Sequence, residues 1–381
     1  MKDSSQPGVK TAKPRKLFMK QKIMFRVLVA LAPVLVSGIY FFGWRVLALL
    51  AFCTLVGLVT EYVTSRQRGG PVSSACLVTC TLYSLSLPPT VPFWIAGIGI
   101  LVAILFGKEV FGGFGRNFAN PAIVGRAFVY VCFPVPLTAQ FVPAFKGFPG
   151  GLAHWSFESL QQLPAHLAAG GRRVADAVSQ ASPMWVNREF GPEVASKAAS
   201  LWNMLLGNIG GTFTTPDGST RILSAGSIGE GCALLIVLAA VYLLITKTAN
   251  WRLMLSALAG LAAATGLFRH VLGFDGVGEV PTLAFTLLAG TTLYVTVFMV
   301  TDPVSAPNRN LARYAYGFFI GFMVVLLRWK GIFVAAASFS VLLGNIIAPL
   351  LDLGAEALAA RKASAVAGPQ AVGAEDKGRA Q

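Results

Sequence analysis

The residues of this chain that could do chemistry are a few acids and glycines set among long apolar runs. From Gly107 to Phe128 the sequence reads GKEVFGGFGRNFANPAIVGRAF, with Lys108, Glu109 and Arg116 crowded among glycines. Gly112, Gly113 and Gly115 allow close approach to a flat ligand or a neighbouring helix, and Phe114 and Phe118 offer ring faces. Asn117 and Asn120 can satisfy backbone groups freed from a helix. Non-helical backbone at membrane depth is tolerated only against protein or a water-lined cavity. The segment therefore reads either as a binding loop, for a non-covalent flavin or a quinone, or as a tight turn between helices.

Five acids stand near the ends of apolar runs: Glu61, Glu109, Glu230 in GSIGE (226–230), Asp302 in MVTDPVSAPNRN (299–310) and Asp352 closing LLGNIIAPLLD (342–352). A carboxylate at such a depth is costly, so an ion or proton pathway is the expectation, and snorkelling helix-end residues are the plain alternative. No catalytic residue and no metal site is expected. Cys53, Cys76, Cys80, Cys132 and Cys232 fall in or beside apolar runs and read as small buried hydrophobes. His154, His166 and His270 have no metal-ligand spacing and read as surface residues.

The elements that must position these residues are transmembrane helices. The chain has 381 residues, 55% hydrophobic and 12% charged, against the ~25% charged of soluble domains. Apolar windows fall at 25–42, 44–63, 73–89, 91–107, 122–136, 231–247, 251–268, 281–300, 314–329 and 331–351, near the ~20-residue spanning length. The expected fold is an all-α integral membrane protein of about ten helices. A formal charge of +15 raises the question of nucleic acid, but the placement of the basic residues fits the positive-inside rule and a bilayer instead. With both termini cytoplasmic, Arg66, Arg68, Lys108, Arg116, Lys247, Arg252, Arg309 and Arg313 all fall inside.

The expected layout is a disordered basic tail (1–24), a first five-helix half (25–136), an outer-face loop region (137–230), a second five-helix half (231–355) and a disordered C-terminal tail (356–381). Two five-helix halves have opposite topology, the inverted-repeat arrangement of many transport proteins. A short echo accompanies it: GRNFANP at 115–121 and GNIIAP at 344–349 place Asn117 and Asn345 each four residues before a proline.

The ordered segments GKEVFGGFGRNFANPAIVGRAF, GNI (207–209), GSIGE, TDPVSA and LLGNIIAPLLD resemble those of the Nqr/Rnf membrane subunit family, covering roughly 25–355. That family holds the B-type subunit of the sodium-pumping NADH:quinone oxidoreductase and its counterpart, the D-type subunit of the Rnf electron transport complex. The resemblance implies a ten-helix flavoprotein subunit of a redox-driven, ion-translocating oxidoreductase in the bacterial inner membrane. It implies FMN esterified to an outer-face threonine, riboflavin in the sodium-pumping enzyme, partner subunits and a route to quinone.

The chain departs from the family at the acceptor. The stretch corresponding to the acceptor motif is Lys146–Leu152, so Leu152 stands where the threonine is expected. Leucine has no hydroxyl for a phosphoester, and Thr220, within Asp217–Thr220, is a poorly spaced substitute. Any FMN or riboflavin is accordingly expected to be non-covalent. No dinucleotide fingerprint follows a strand, so NADH oxidation would fall to partner subunits. The other reading is a divergent family member without covalent flavin, acting as a transporter or channel-like protein.

Overall fold

A computed structural model describes residues 18–138, 140–155, 182–331 and 335–367. The architecture is helical. The first half comprises α1 (Lys22–Phe42), α2 (Arg45–Gln67), α3 (Ala75–Leu85), α4 (Phe93–Ile104) and α5 (Pro121–Cys132). The loop region adds α6 (Pro134–Thr138), α7 (Pro183–Ala198) and α8 (Leu201–Leu206). The second half comprises α9 (Ala233–Ile245), α10 (Trp251–Thr265), α11 (Leu283–Leu288), α12 (Thr292–Phe298), α13 (Asn310–Lys330) and α14 (Ala336–Ala367). Two strand pairs complete it: parallel β1 (Phe18–Met19) with β2 (Val72–Ser73), and antiparallel β3 (Thr212–Thr214) with β4 (Thr220–Ile222).

Five helical stretches are long and apolar enough to cross a bilayer: Lys22–Phe42, Arg45–Gln67, Trp251–Val271, Asn310–Lys330 and Ala336–Lys362. Shorter apolar helices occupy other expected windows. The window at 281–300 is broken into α11 and α12 at Gly290, whose φ of 75° suits glycine alone. Exposed leucines and valines along α1, α2 and α9 form an apolar exterior, as a lipid-facing surface requires.

Close packing fixes the interior. α10 lies against α13, and α13 against α14. A Cβ at Gly317 or Gly321 of α13 would run into the backbone of α10 at Leu253 or Ala257, so these glycines set the helix separation. The halves meet where α1 packs on α9 and α5 on α14. The molecule has two ends. At the loop end, backbone bonds tie Phe145 to Phe41, Trp44 to His154 and Ala225 to Val142. At the opposite end, Arg26 donates to the Thr246 carbonyl at 2.9 Å.

Ordered structure reaches further than the expected boundaries. β1 and the start of α1 lie inside the stretch 1–24, where only residues from Phe18 onward are described. α14 continues to Ala367, so 356–367 are helical and not a structureless tail. Alanine-rich sequence has high helix propensity, and Arg309 pairs with Glu356 at 2.9 Å. Cys132 is exposed, unlike the other four cysteines, because it ends α5 on its outward side. His154 stacks on Phe145 with ring centroids 4.7 Å apart, and His270 is exposed. His166 lies outside the described residues.

Candidate functional site

Three polar sites interrupt the apolar interior. The first, at the opposite end, is a charge cluster between α2, β2 and the end of α4. There α4 runs on as a π-turn, Leu105–Glu109, which turns Lys108 and Glu109 inward. Lys108 donates to Glu61 at 2.6 Å and to the Ser73 hydroxyl at 2.6 Å. Glu61 also accepts the Ser73 N–H at 2.8 Å and its hydroxyl at 2.9 Å. Glu61 and Lys108 are each 2% exposed. Glu109 accepts from Thr64 at 3.0 Å and pairs with Arg68. Glu61 and Glu109 are therefore neutralised by cations, and neither is the open carboxylate that its place at a helix end suggests. Burying either charge unpaired would cost several kcal/mol, which the two basic partners offset.

The second site lies beside it, under the glycine segment. Gly112, Gly113 and Gly115 take φ of 103°, 92° and 87°, so the chain here needs glycine. Phe114 and Asn117 turn toward a pocket of about 60 Å³ that also meets Lys108, Asn120, Thr301 and Asp302. Phe118 is exposed and meets Phe111 edge to face at 4.9 Å. Asn120 caps α5, accepting the Ala122 N–H at 3.0 Å with Pro121 in the first turn. Its own N–H donates to Asn345 Oδ1 of α14 at 3.0 Å, and Asn345 Nδ2 donates to the Tyr316 hydroxyl at 2.6 Å. The two segments of the sequence echo thus touch, through Asn120 where the echo itself pairs Asn117 with Asn345.

Asp302 accepts the Val304 N–H at 3.2 Å and the Ser305 hydroxyl at 2.9 Å, with no basic side chain paired to it among the described residues. Asp352 accepts the N–H groups of Asn308 and Arg309 at 2.9–3.1 Å, joining α14 to the start of α13. That role is a structural cap, and it places Asp352 away from the small polar pocket.

The third site is at the loop end: a cavity of about 330 Å³ reached by Arg126 of α5, Glu230 ahead of α9, Thr291 between α11 and α12, and Arg328 of α13. Glu230 closes a capping box with Ser227, accepting its N–H at 2.5 Å. Arg126 donates to the Ser227 hydroxyl at 3.3 Å and Arg328 to the Thr286 carbonyl at 2.9 Å. Trp185 and Trp329 add ring surface to the lining.

Leu152 lies in a short 3₁₀ turn, Gly150–Ala153, its carbonyl accepting the Trp44 indole N–H at 2.8 Å. It lines neither cavity. Thr220 is exposed on β4 opposite Thr214. In the intervening turn, hydrogen bonds from the Thr215 hydroxyl and then from Ser219 hold the Asp217 carboxyl below its ordinary range.

The profile of the NQR2, RnfD, RnfE family matches residues 15–357. The chain belongs to this family. It is 32% identical over 338 residues to an ion-translocating oxidoreductase complex subunit of Halorhodospira halophila, covering 87% of this chain and 88% of that one. Over 312 residues it is 33% identical to a Na(+)-translocating NADH-quinone reductase subunit of Azotobacter vinelandii, covering 80% of this chain and 66% of that protein. An ion-translocating oxidoreductase complex subunit of Marinobacter nauticus is 30% identical over 363 residues, covering 91% and 92%.

In this NQR2, RnfD, RnfE family chain, the structure adds three residues that patterning missed. Lys108 was visible only as one basic residue in a turn, though it neutralises Glu61. Arg126 sits inside the apolar helix α5, and a lone arginine at such a depth is the signal that could have drawn notice, whereas Arg328 stands in the last turn of α13 beside Lys330 and reads as an ordinary helix-end cation.

Proposed function

We propose that this chain is a membrane subunit of an Nqr- or Rnf-type complex that uses electron flow to move Na⁺ or H⁺ across a bacterial inner membrane. The observation that carries this reading is the family match over residues 15–357, whose relatives are named for ion-translocating oxidoreductases. The buried Glu61–Lys108 pair and the half-buried Asp302 support it, since a purely structural scaffold gains little from charge held inside hydrocarbon.

On this reading the chain crosses the membrane ten times in two inverted halves with both termini cytoplasmic. The Asn120–Asn345 contact and the helix break at Gly290 support the arrangement. Asp302 is the acid best disposed to exchange an ion, because it lines the small polar pocket without a cationic partner. NADH oxidation, and contact with ferredoxin or quinone, belong to partner subunits or to surfaces shared with them.

The covalent flavin of the family does not fit this chain, since Leu152 offers no hydroxyl. A flavin supplies one- and two-electron transfer, and here it would be held without a covalent bond. The pocket under Gly112–Phe118, about 60 Å³, is smaller than the ~300–1,000 Å³ of small-molecule sites. Those residues are therefore read as one wall of a flavin or quinone site, with the exposed Phe111–Phe118 pair facing a neighbouring subunit.

Mild-detergent purification of the tagged full chain from its own membranes tests the function. Co-purification with flavin- and iron–sulfur-containing redox subunits is expected. A lone oligomer that transports a solute without redox partners would overturn it in favour of the transporter reading.

A further inference from the structure

The turn that joins α9 to α10, residues 246–250, gathers cations at the end of the molecule away from the loop region. Lys247 stands in it, Arg252 follows the Asn250 cap of α10, and Lys22 and Arg26 lie one turn apart on α1, which packs on α9. Arg26 is tied to the turn by its bond to the Thr246 carbonyl at 2.9 Å. None of the four forms a salt bridge with a described carboxylate. The acids around them are engaged elsewhere. Asp302, beneath the turn in the pocket it shares with Thr248, holds Val304 and Ser305, while Asp352 caps α13 and Glu356 pairs with Arg309. Lys247 takes φ 52°, the left-handed backbone that glycine adopts at a helix end without strain, and among the described residues no other side chain stands at positive φ. The backbone would accept glycine more readily, so the turn itself does not account for a lysine here.

Apolar surface begins directly below these charges. Trp251 is exposed with Arg252 over its ring at 5.1 Å, and from it an exposed stripe runs down α10 through Leu255 and Leu258. α9 shows a second stripe at Leu238, Val241 and Ile245. α9 rests on α1 and α12, and α10 on α13 and α12, so the two helices lean on a common support more than on each other. Cations at the rim, a tryptophan at the boundary and apolar side chains beneath follow the order of groups in a phospholipid, from phosphate through glycerol ester to acyl chain. A free phosphate would leave the stripes uncovered, and a zwitterionic headgroup would bring its own cation to a site already rich in them.

We infer that this corner binds an anionic phospholipid, its headgroup phosphate held by Arg26, Lys247 and Arg252 and its acyl chains laid along α9 and α10. The inference rests on the chain spanning a bilayer and is independent of electron transfer.

The test is native mass spectrometry of the purified full-length protein, titrated in detergent with dioleoyl phosphatidylglycerol and dioleoyl phosphatidylcholine. The two lipids share their chains and differ in headgroup charge. The wild type should retain phosphatidylglycerol at least about tenfold more tightly, since each basic residue near an anionic headgroup contributes about fivefold. Lys247→Gly suits the backbone of the turn, so it should fold as the wild type does and cut the preference about fivefold. Adding Arg252→Gln should leave the two lipids nearly equal. Arg66→Gln, which removes an exposed cation from the end of α2, should leave the preference intact. Equal retention of both lipids by the wild type, an undiminished preference in Lys247→Gly with Arg252→Gln, or the same loss in Arg66→Gln would overturn the inference. So would displacement of the lipid by an equal concentration of sn-glycerol 3-phosphate, which would mark a site for soluble phosphate. Loss of partner subunits from the double variant with its lipid preference unchanged would also overturn it, assigning the corner to a protein contact.

Discussion

Asn345 on α14 accepts the backbone N–H of Asn120 at 3.0 Å and passes its own amide N–H to the Tyr316 hydroxyl at 2.6 Å. One side chain thereby joins the cap of α5 to the packing of α13 and α14, across 225 positions of sequence. Asn345→Ala removes an acceptor and a donor from a buried site and should cost about 2–5 kcal/mol. Tyr316→Phe removes one bond and should cost about 1–2 kcal/mol. The measurement is the unfolding midpoint in a mixed-detergent titration. Equal costs for the two variants would mean that the Asn120 bond contributes nothing.

The charge cluster at the opposite end should behave as a unit. Lys108→Met strands Glu61, which is 2% exposed, and should destabilise by about 3–5 kcal/mol. Adding Glu61→Gln removes the stranded charge and should recover a large part of that loss, a non-additivity that a double-mutant cycle reads directly. Simple addition of the two costs would show that the pair does not interact.

Glu109 and Asp302 look alike in the sequence, and the structure separates them. Glu109 holds Arg68 and Thr64, so Glu109→Gln should lower the yield of folded protein along with ion-coupled turnover. Asp302 caps a turn through Val304 and Ser305 and has no basic partner among the described residues, and an amide keeps an acceptor for Val304. Asp302→Asn should therefore assemble normally and lose ion-dependent turnover by about tenfold or more. Turnover with unchanged ion dependence in assembled Asp302→Asn would remove it from any pathway.

Much of this division was legible in the residues, and some of it was not. Long apolar runs announced α1, α2, α10, α13 and α14, because hydrocarbon burial dictates both length and composition. The glycines of GGFG marked the segment as either a binding loop or a tight turn, and the structure gives them positive φ. Hidden from a one-dimensional reading were partners far apart in the chain: Glu61 with Lys108, Asp352 with the N–H groups after Pro307, Arg126 with the GSIGE turn. An acid at a helix end looks the same whether it is free, paired or capping, and only the fold distinguishes these. Helix continuing to Ala367 was missed because alanine-rich sequence with scattered charge suits both a tail and a helix.

The proposed ten-pass topology is open to a reporter experiment. α7 begins at Pro183, inside the loop region that follows five expected spans. A periplasm-active phosphatase fused at Pro183 should be active, and a fusion between Gly112 and Gly115 should be silent. Activity at the glycine segment with silence at Pro183 would reverse the orientation, and matching signals would break the assignment of the intervening helix α5.

The last prediction concerns the acceptor position. The family resemblance alone expects FMN esterified to a side chain on the outer face, whereas the correspondence drawn from the sequence puts a leucine, Leu152, in that place. A phosphoester needs a hydroxyl oxygen, and no surroundings supply one to Leu152. The turn itself carries no hydroxyl, since Gly150, Gly151 and Ala153 complete it and the Leu152 carbonyl is engaged by Trp44. Other hydroxyls at the loop end are those of Ser182, which lines the larger cavity, and of Thr214, Thr215 and Thr220 in the hairpin. Thr215 is buried and bonded to Asp217 and Ser219, which leaves it poorly placed as a nucleophile, and exposed Thr214 and Thr220 lack the spacing of the acceptor motif. Denatured protein should therefore show no flavin fluorescence in a gel, and intact mass spectrometry should return the mass of the unmodified chain. A mass increase matching esterified FMN would reject this, and a peptide map placing it on Thr220 would identify the hairpin turn as a relocated attachment site.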